Sequence, residues 1–87
     1  MIHDTYGRAK RMIDAIEACV VLGHDGLRRK GSRIRYFIFK LDGRRYRWTL
    51  AFEKDGRVVI RQTEPEAELV LAFSARQVEN LVRSRIR

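Results

Sequence analysis

Arginines recur at every second position in two runs, Arg33 and Arg35, then Arg45 and Arg47, and a third run, Arg57-Val58-Val59-Ile60-Arg61, is closed by arginine at both ends. Side chains of an extended strand alternate between faces, so each run presents its guanidinium groups on one side. A guanidinium is planar and permanently charged, makes paired hydrogen bonds to phosphate, and stacks on flat rings. Cations spaced along a surface, with an aromatic ring among them, supply what a single-stranded nucleic acid needs: phosphate neutralisation and a platform for bases. The candidate rings are Phe37 and Phe39, or Tyr36 between them and the arginines.

Three strands joined by two turns must position these groups. Both turns carry Asp-Gly, at Asp42-Gly43 and Asp55-Gly56, between runs rich in β-branched and aromatic residues, which predicts an antiparallel meander from Arg33 to Arg61. In the middle strand Tyr46, Trp48, Leu50 and Phe52 share one side, and Arg45, Arg47, Thr49 and Ala51 the other. One face is core and the other is wet and basic. At the second hairpin a two-residue loop would set Leu50 opposite Arg61. A three-residue loop, Lys54-Asp55-Gly56 with Gly56 left-handed, sets Phe52 opposite Val58 and Leu50 opposite Ile60, and register follows the apolar pattern. The first hairpin admits two registers. A bulged turn puts Ile34, Tyr36 and Ile38 in the core, with Arg33, Arg35, Phe37 and Phe39 on the basic face; a two-residue turn swaps the sets, leaving Tyr36, Ile38 and Lys40 outside. In both, an aromatic ring stands among arginines.

Upstream, Ala9, Met12, Ile13, Ile16, Cys19 and Val20 recur at helical spacing, predicting an amphipathic helix over Asp4 to Leu22 ended by Gly23. The stretch Gly23 to Ser32, with three glycines and Arg28-Arg29-Lys30, reads as an exposed basic loop. Downstream, Leu69 to Phe73 alternates as a fourth strand, with one long helix from Glu64 as the rival reading. Ser74 and Gln77 form a capping box, opening a final helix whose stripe is Val78, Leu81, Val82 and Ile86. The expected fold is α+β: an N-terminal helix, an antiparallel meander of three to four strands and a C-terminal helix, with both helices on one face of the sheet.

With 87 residues, 45% of them hydrophobic and 34% charged, the chain has the size and composition of a single globular domain, 1–87. No apolar run approaches the roughly 20 residues of a membrane span, and Asp4 stands where a secretory leader would be apolar; a cytoplasmic, non-membrane protein is expected. The net charge of +8 points to polyanions, and it is concentrated: Arg28 to Arg47 holds nine basic residues against one acid, Asp42. Cys19 sits on the apolar stripe and reads as a small core residue. The pairs His3-Asp4 and His24-Asp25 are neighbours in sequence only, which does not orient a catalytic dyad. Two histidines and one cysteine have no metal-ligand spacing, and no phosphate-binding glycine loop or nucleophile elbow is present. No cofactor or metal is expected.

From Arg33 to Arg87 the order of four strands and a capped helix resembles the single-strand-binding domains of the positive-coactivator and Whirly types. That resemblance implies a homodimer gripping single-stranded DNA on a curved sheet, and carries no residue roles. A helix followed by a basic meander is also similar to RelE-type ribonuclease toxins. The order helix, three strands, helix is similar to the double-stranded RNA-binding domain, from which Ala75-Arg76-Gln77 departs by holding one cation at the start of the last helix.

The leading expectation is a non-enzymatic protein that binds DNA or RNA, single strands before duplexes. Its site would comprise Arg28, Arg29, Lys30, Arg33, Arg35, Phe37, Phe39, Arg45, Arg47, Arg57 and Arg61. The second reading is a small protein-binding module, such as a phage or viral inhibitor, with an acidic protein as partner; the third is a RelE-like ribonuclease.

Overall fold

A computed structural model describes residues 5–66 and 70–85. The order is α1 (Thr5–Lys30), β1 (Ile34–Leu41), β2 (Arg44–Phe52), β3 (Val58–Glu64), β4 (Val70–Phe73) and α2 (Ala75–Arg85). The strands form one antiparallel sheet in the order β1-β2-β3-β4. Both helices lie against one face, and the core between them holds Ile16, Cys19 and Val20 of α1, Trp48, Leu50 and Phe52 of β2, Val58 and Ile60 of β3, and Val78 of α2. The architecture is the expected α+β fold. Trp48 is wholly buried and donates its Nε1–H to Gln62 Oε1 at 3.2 Å, while Gln62 Nε2 donates to the Glu66 carbonyl. Gln62, itself buried, is therefore hydrogen-bonded at both ends of its amide.

The second hairpin has the expected register, Phe52 opposite Val58 and Leu50 opposite Ile60. Gly56 is left-handed, with φ of 91°, and the Glu53 N–H bonds to the Arg57 carbonyl across the three-residue loop. Further along, Arg47 pairs with Glu64 and Trp48 with Gln62, so Thr63 is a bulge residue, its hydroxyl donating to the Arg47 carbonyl.

The first hairpin takes the two-residue turn. Leu41 pairs with Arg44, and Asp42 and Gly43 have φ of 52° and 77°, as a mirror-image turn requires at both central positions. This corrects the bulged register. Phe37 and Phe39 turn toward the helices, where the Phe39 ring lies 4.0 Å from that of Trp48 and 5.1 Å from that of Tyr46. Ile34, Tyr36 and Ile38 face away from the helices. Phe37 and Phe39 join Trp48 and Tyr46 in an aromatic cluster, and that packing outweighs drawing Arg35 to the same side.

The N-terminal helix also runs further than Leu22. Gly23 and Gly26 lie inside it because the sheet comes close: a methyl group on Gly23 would sit 2.8 Å from Phe52 Cζ, and one on Gly26 would sit 2.8 Å from Arg35 Nη2. The expected basic loop is thus corrected to helix, with Arg28, Arg29 and Lys30 as its last turn, where the helix dipole favours cations. Gly31, with φ of 74°, ends it by donating its N–H to the Leu27 carbonyl at 2.7 Å.

The strand reading of the fourth segment holds for Val70–Phe73, with Leu69 outside the described residues. Ser74 and Gln77 form the reciprocal capping box: Gln77 N–H donates to Ser74 Oγ at 3.1 Å, and Ser74 N–H to Gln77 Oε1 at 2.8 Å. Asp4, His3, Glu68 and Ile86 also lie outside the described residues. No described helix is long and apolar enough to cross a membrane.

Candidate nucleic-acid interface

The face of the sheet turned away from the helices is built by alternation. β1 contributes Ile34, Tyr36, Ile38 and Lys40; β2 contributes Arg45, Arg47, Thr49 and Ala51; β3 contributes Val59, Arg61 and Thr63; and β4 contributes Ala72. Cross-strand pairing sorts these into rows. Lys40 stands beside Arg45, and Ile38 beside Arg47, which is followed by Glu64. Tyr36 stands beside Thr49 and Arg61, and Ile34 beside Ala51, Val59 and Ala72. The end near the Asp42-Gly43 turn is basic and the opposite end is apolar.

Tyr36 stands where the two halves meet. Its side chain is 62% exposed, and the Arg47 guanidinium lies 5.5 Å from its ring centroid, a cation–π distance. The ring is thereby anchored on one side of the open face. Glu64 bridges the two arginines of β2, its carboxylate 3.9 Å from Arg45 Nε and 3.9 Å from Arg47 Nη1. Those separations are ion pairs without hydrogen bonds. At 42–57% side-chain exposure for the arginines, each is a weak surface pair that a phosphate can displace.

The residues expected at the site divide accordingly. Arg45, Arg47 and Arg61 share the outer face. Arg57 alternates to that side too, at the second turn, where it pairs with Asp55 at 2.7 Å. The Asp55 carboxyl is held below its ordinary range, chiefly by the hydrogen bond from the Arg57 backbone N–H. Phe37, Phe39 and Arg35 are on the helix side, so their placement on the outer face is corrected. Arg35 Nε and Nη2 are buried beside Gly26 without a hydrogen-bond partner. Arg33 lines a cleft of about 570 Å³ with His24, Lys54 and Phe52, and the acids Glu53, Asp55 and Glu79 share that cleft. Mixed charge makes it a poor anion site. Arg28, Arg29 and Lys30 form a separate basic helix end, with Arg29 paired to Asp25 in the same helix. Sequence reasoning assigned Lys40 and Tyr36 to the outer face only in the alternative register; the Asp-Gly pair does not select between the two, since Asp55-Gly56 sits in a three-residue loop and Asp42-Gly43 in a two-residue one.

Compared with protein-family models, curated proteins and solved structures, the chain matches none.

Proposed function

We propose that this chain is a cytoplasmic, non-enzymatic nucleic-acid-binding protein that takes single-stranded DNA or RNA across the open face of its sheet. The observation that carries the reading is the exposed Tyr36 ring seated against Arg47, with Arg45, Arg61 and Lys40 around it. A base stacks on the free side of Tyr36, phosphates run over Arg45, Arg47 and Lys40, and Arg61 holds the strand from the adjoining row. A duplex, whose bases are already stacked, gains only the charge contacts. An acidic protein on the same face is the second reading, favoured by the apolar row Ile34, Ala51, Val59 and Ala72. The unpaired side of β1 supports a second copy of the chain as a further partner.

The test is fluorescence anisotropy with labelled single- and double-stranded DNA and RNA of equal length, titrated at several salt concentrations. Tyr36→Ala is expected to weaken single-strand binding about tenfold, within the range for one base stack. Arg45→Ala with Arg47→Ala should lower the slope of log affinity against log salt by about 1.4 for a single strand, two phosphate contacts' worth. Unchanged affinity in a folded Arg45/Arg47 double variant rejects the site. Recovery of one stoichiometric partner protein that survives nuclease treatment favours the second reading.

A further inference from the structure

β1 forms one edge of the sheet, and among the described residues no strand pairs with its outer side. It has eight residues, no proline and no bulge, and of the devices that ordinarily guard an exposed edge it has only the charges of Arg35 and Lys40. The Phe52 N–H bonds to the Arg33 carbonyl, so along the alternating ladder Arg35, Phe37 and Phe39 direct their backbone groups to β2. The N–H and C=O groups of Ile34, Tyr36, Ile38 and Lys40 point away from the sheet, with Ser32 Oγ donating to the Ile34 carbonyl. The side chains Ile34, Tyr36 and Ile38 are 48%, 62% and 56% exposed.

The helical layer exposes one large apolar side chain at the same edge, Leu22. Arg8, Arg11, Ala15, Leu22 and Gly26 fall on one flank of α1 by their three-, four- and seven-residue spacing. That flank faces β1: Arg8 and Arg11 reach Asp42 just past its end, and Gly26 lies against Arg35 near its start. Leu22, 60% exposed, lies between these anchors along the β1 edge.

From these two layers we infer that the β1 edge and the adjoining flank of α1 bind a second copy of this chain, through antiparallel β1–β1 pairing about a two-fold axis at Phe37. An extended peptide would satisfy the strand edge alone. A second copy brings a strand to the strand and a helix to the helix, with a Leu22 side chain from each at the seam. In this register Tyr36 of one copy faces Ile38 of the other, Lys40 faces Ile34, Arg35 faces Phe39, and no cation meets a cation. Like charges therefore avoid each other along the seam, although each copy carries a net +8. The outcome is an eight-stranded sheet on which the basic end of one outer face adjoins the apolar end of the other. This deepens the proposal of a second copy as partner. It does not need nucleic acid.

The experiment is sedimentation equilibrium of the nucleic-acid-free protein from about 5 to 500 μM, an interface of this modest size placing dissociation in the micromolar range, together with amide hydrogen exchange. A monomer–dimer equilibrium is expected that tightens as salt screens the two positive copies, the reverse of the salt effect on polyanion binding. Ile38→Lys and, separately, Leu22→Glu, both at exposed positions, should each raise the dissociation constant at least tenfold. The Tyr36 and Ile38 amides should be protected at high concentration and exchange freely when dilute. A protein monomeric at 500 μM, or a dimer unaffected by both substitutions, overturns the inference. Because the measurement omits nucleic acid, either result leaves the single-strand reading to its own titration.

Discussion

Two glycines three residues apart on α1 should respond in opposite directions to the same substitution. Alanine in place of a helical glycine contributes about 1 kcal/mol in helix propensity at either site. At Gly23 the new methyl would meet Phe52 Cζ at 2.8 Å and Cε2 at 3.0 Å. That ring is buried, and its backbone is fixed by the Val58 pairing and the hydrogen bond to Arg33. Overpacking against such a ring costs about 1–3 kcal/mol, so Gly23→Ala should lose about 1 kcal/mol net. At Gly26 the methyl meets Arg35 Nη2, Cζ and Nε at 2.8, 2.9 and 3.1 Å, the far end of a flexible chain. Displacing that end brings the buried, unpartnered Nε and Nη2 out to water, which relieves a desolvated group. Gly26→Ala should therefore gain about 1 kcal/mol. In a domain of this size each kcal/mol moves Tm by about 4–8 °C. Thermal and urea unfolding followed by circular dichroism and by the fluorescence of Trp48 read both shifts. Stabilisation by both alanines would show that Phe52 does not limit the approach of α1. Loss of stability in both would show that Arg35 is fixed where it lies.

Glu64→Gln should strengthen binding of a single strand about threefold to tenfold at moderate salt, because it removes the carboxylate that lies between Arg45 and Arg47, two surface pairs of modest strength; anisotropy titration checks this, and weaker binding contradicts it. Burial pushes the Cys19 thiol from an ordinary 9.0 up to about 11, so the folded chain keeps a proton that the unfolded chain releases near 9. Stability should accordingly fall as pH rises from about 9 toward 11, a loss absent from Cys19→Ala. Rapid stoichiometric thiol labelling of the native protein at pH 8 would refute the buried, protonated state.

What the sequence conveyed, and what it withheld, follows from how far each signal reaches. In β2 only one alternation is apolar, so the face of Arg45 and Arg47 was legible at once. The second hairpin was legible because the wrong register would set Arg61 opposite Leu50. β1 is apolar on both sides: Ile34, Tyr36 and Ile38 compete with Phe37 and Phe39, leaving only Arg35 and Lys40 to discriminate. The structure resolves the tie by packing rings on Trp48 and sheltering Arg35 under α1, a tertiary effect with no local signature. Of the candidate rings Phe37, Phe39 and Tyr36, it is Tyr36 that stands on the outer face. Gly23 read as the end of a helix and Gly26 as part of a loop, yet their cause is the nearness of Phe52 and Arg35. The strand Val70–Phe73 was recoverable from its alternation, and the cap at Ser74 because it rests on a contact three residues apart.

The strand order β1-β2-β3-β4 bears on how the chain folds. Each strand lies beside its predecessor, and the first two of the three hairpins close over loops of two and three residues, so the sheet can grow by short-range steps without a distant segment being found first. Such low contact order favours rapid folding over that of sandwiches and barrels with comparable strand counts. The distant event is the meeting of the first helix with the last, seen in the ion pair between Arg85 and Glu17 at 3.8 Å. Loop-closure entropy rises only slowly with length, so this last docking adds little to the search. Until α1 arrives, however, Trp48 and its neighbours are uncovered, and the interval before the helices close is when the chain is most exposed to association with its own copies.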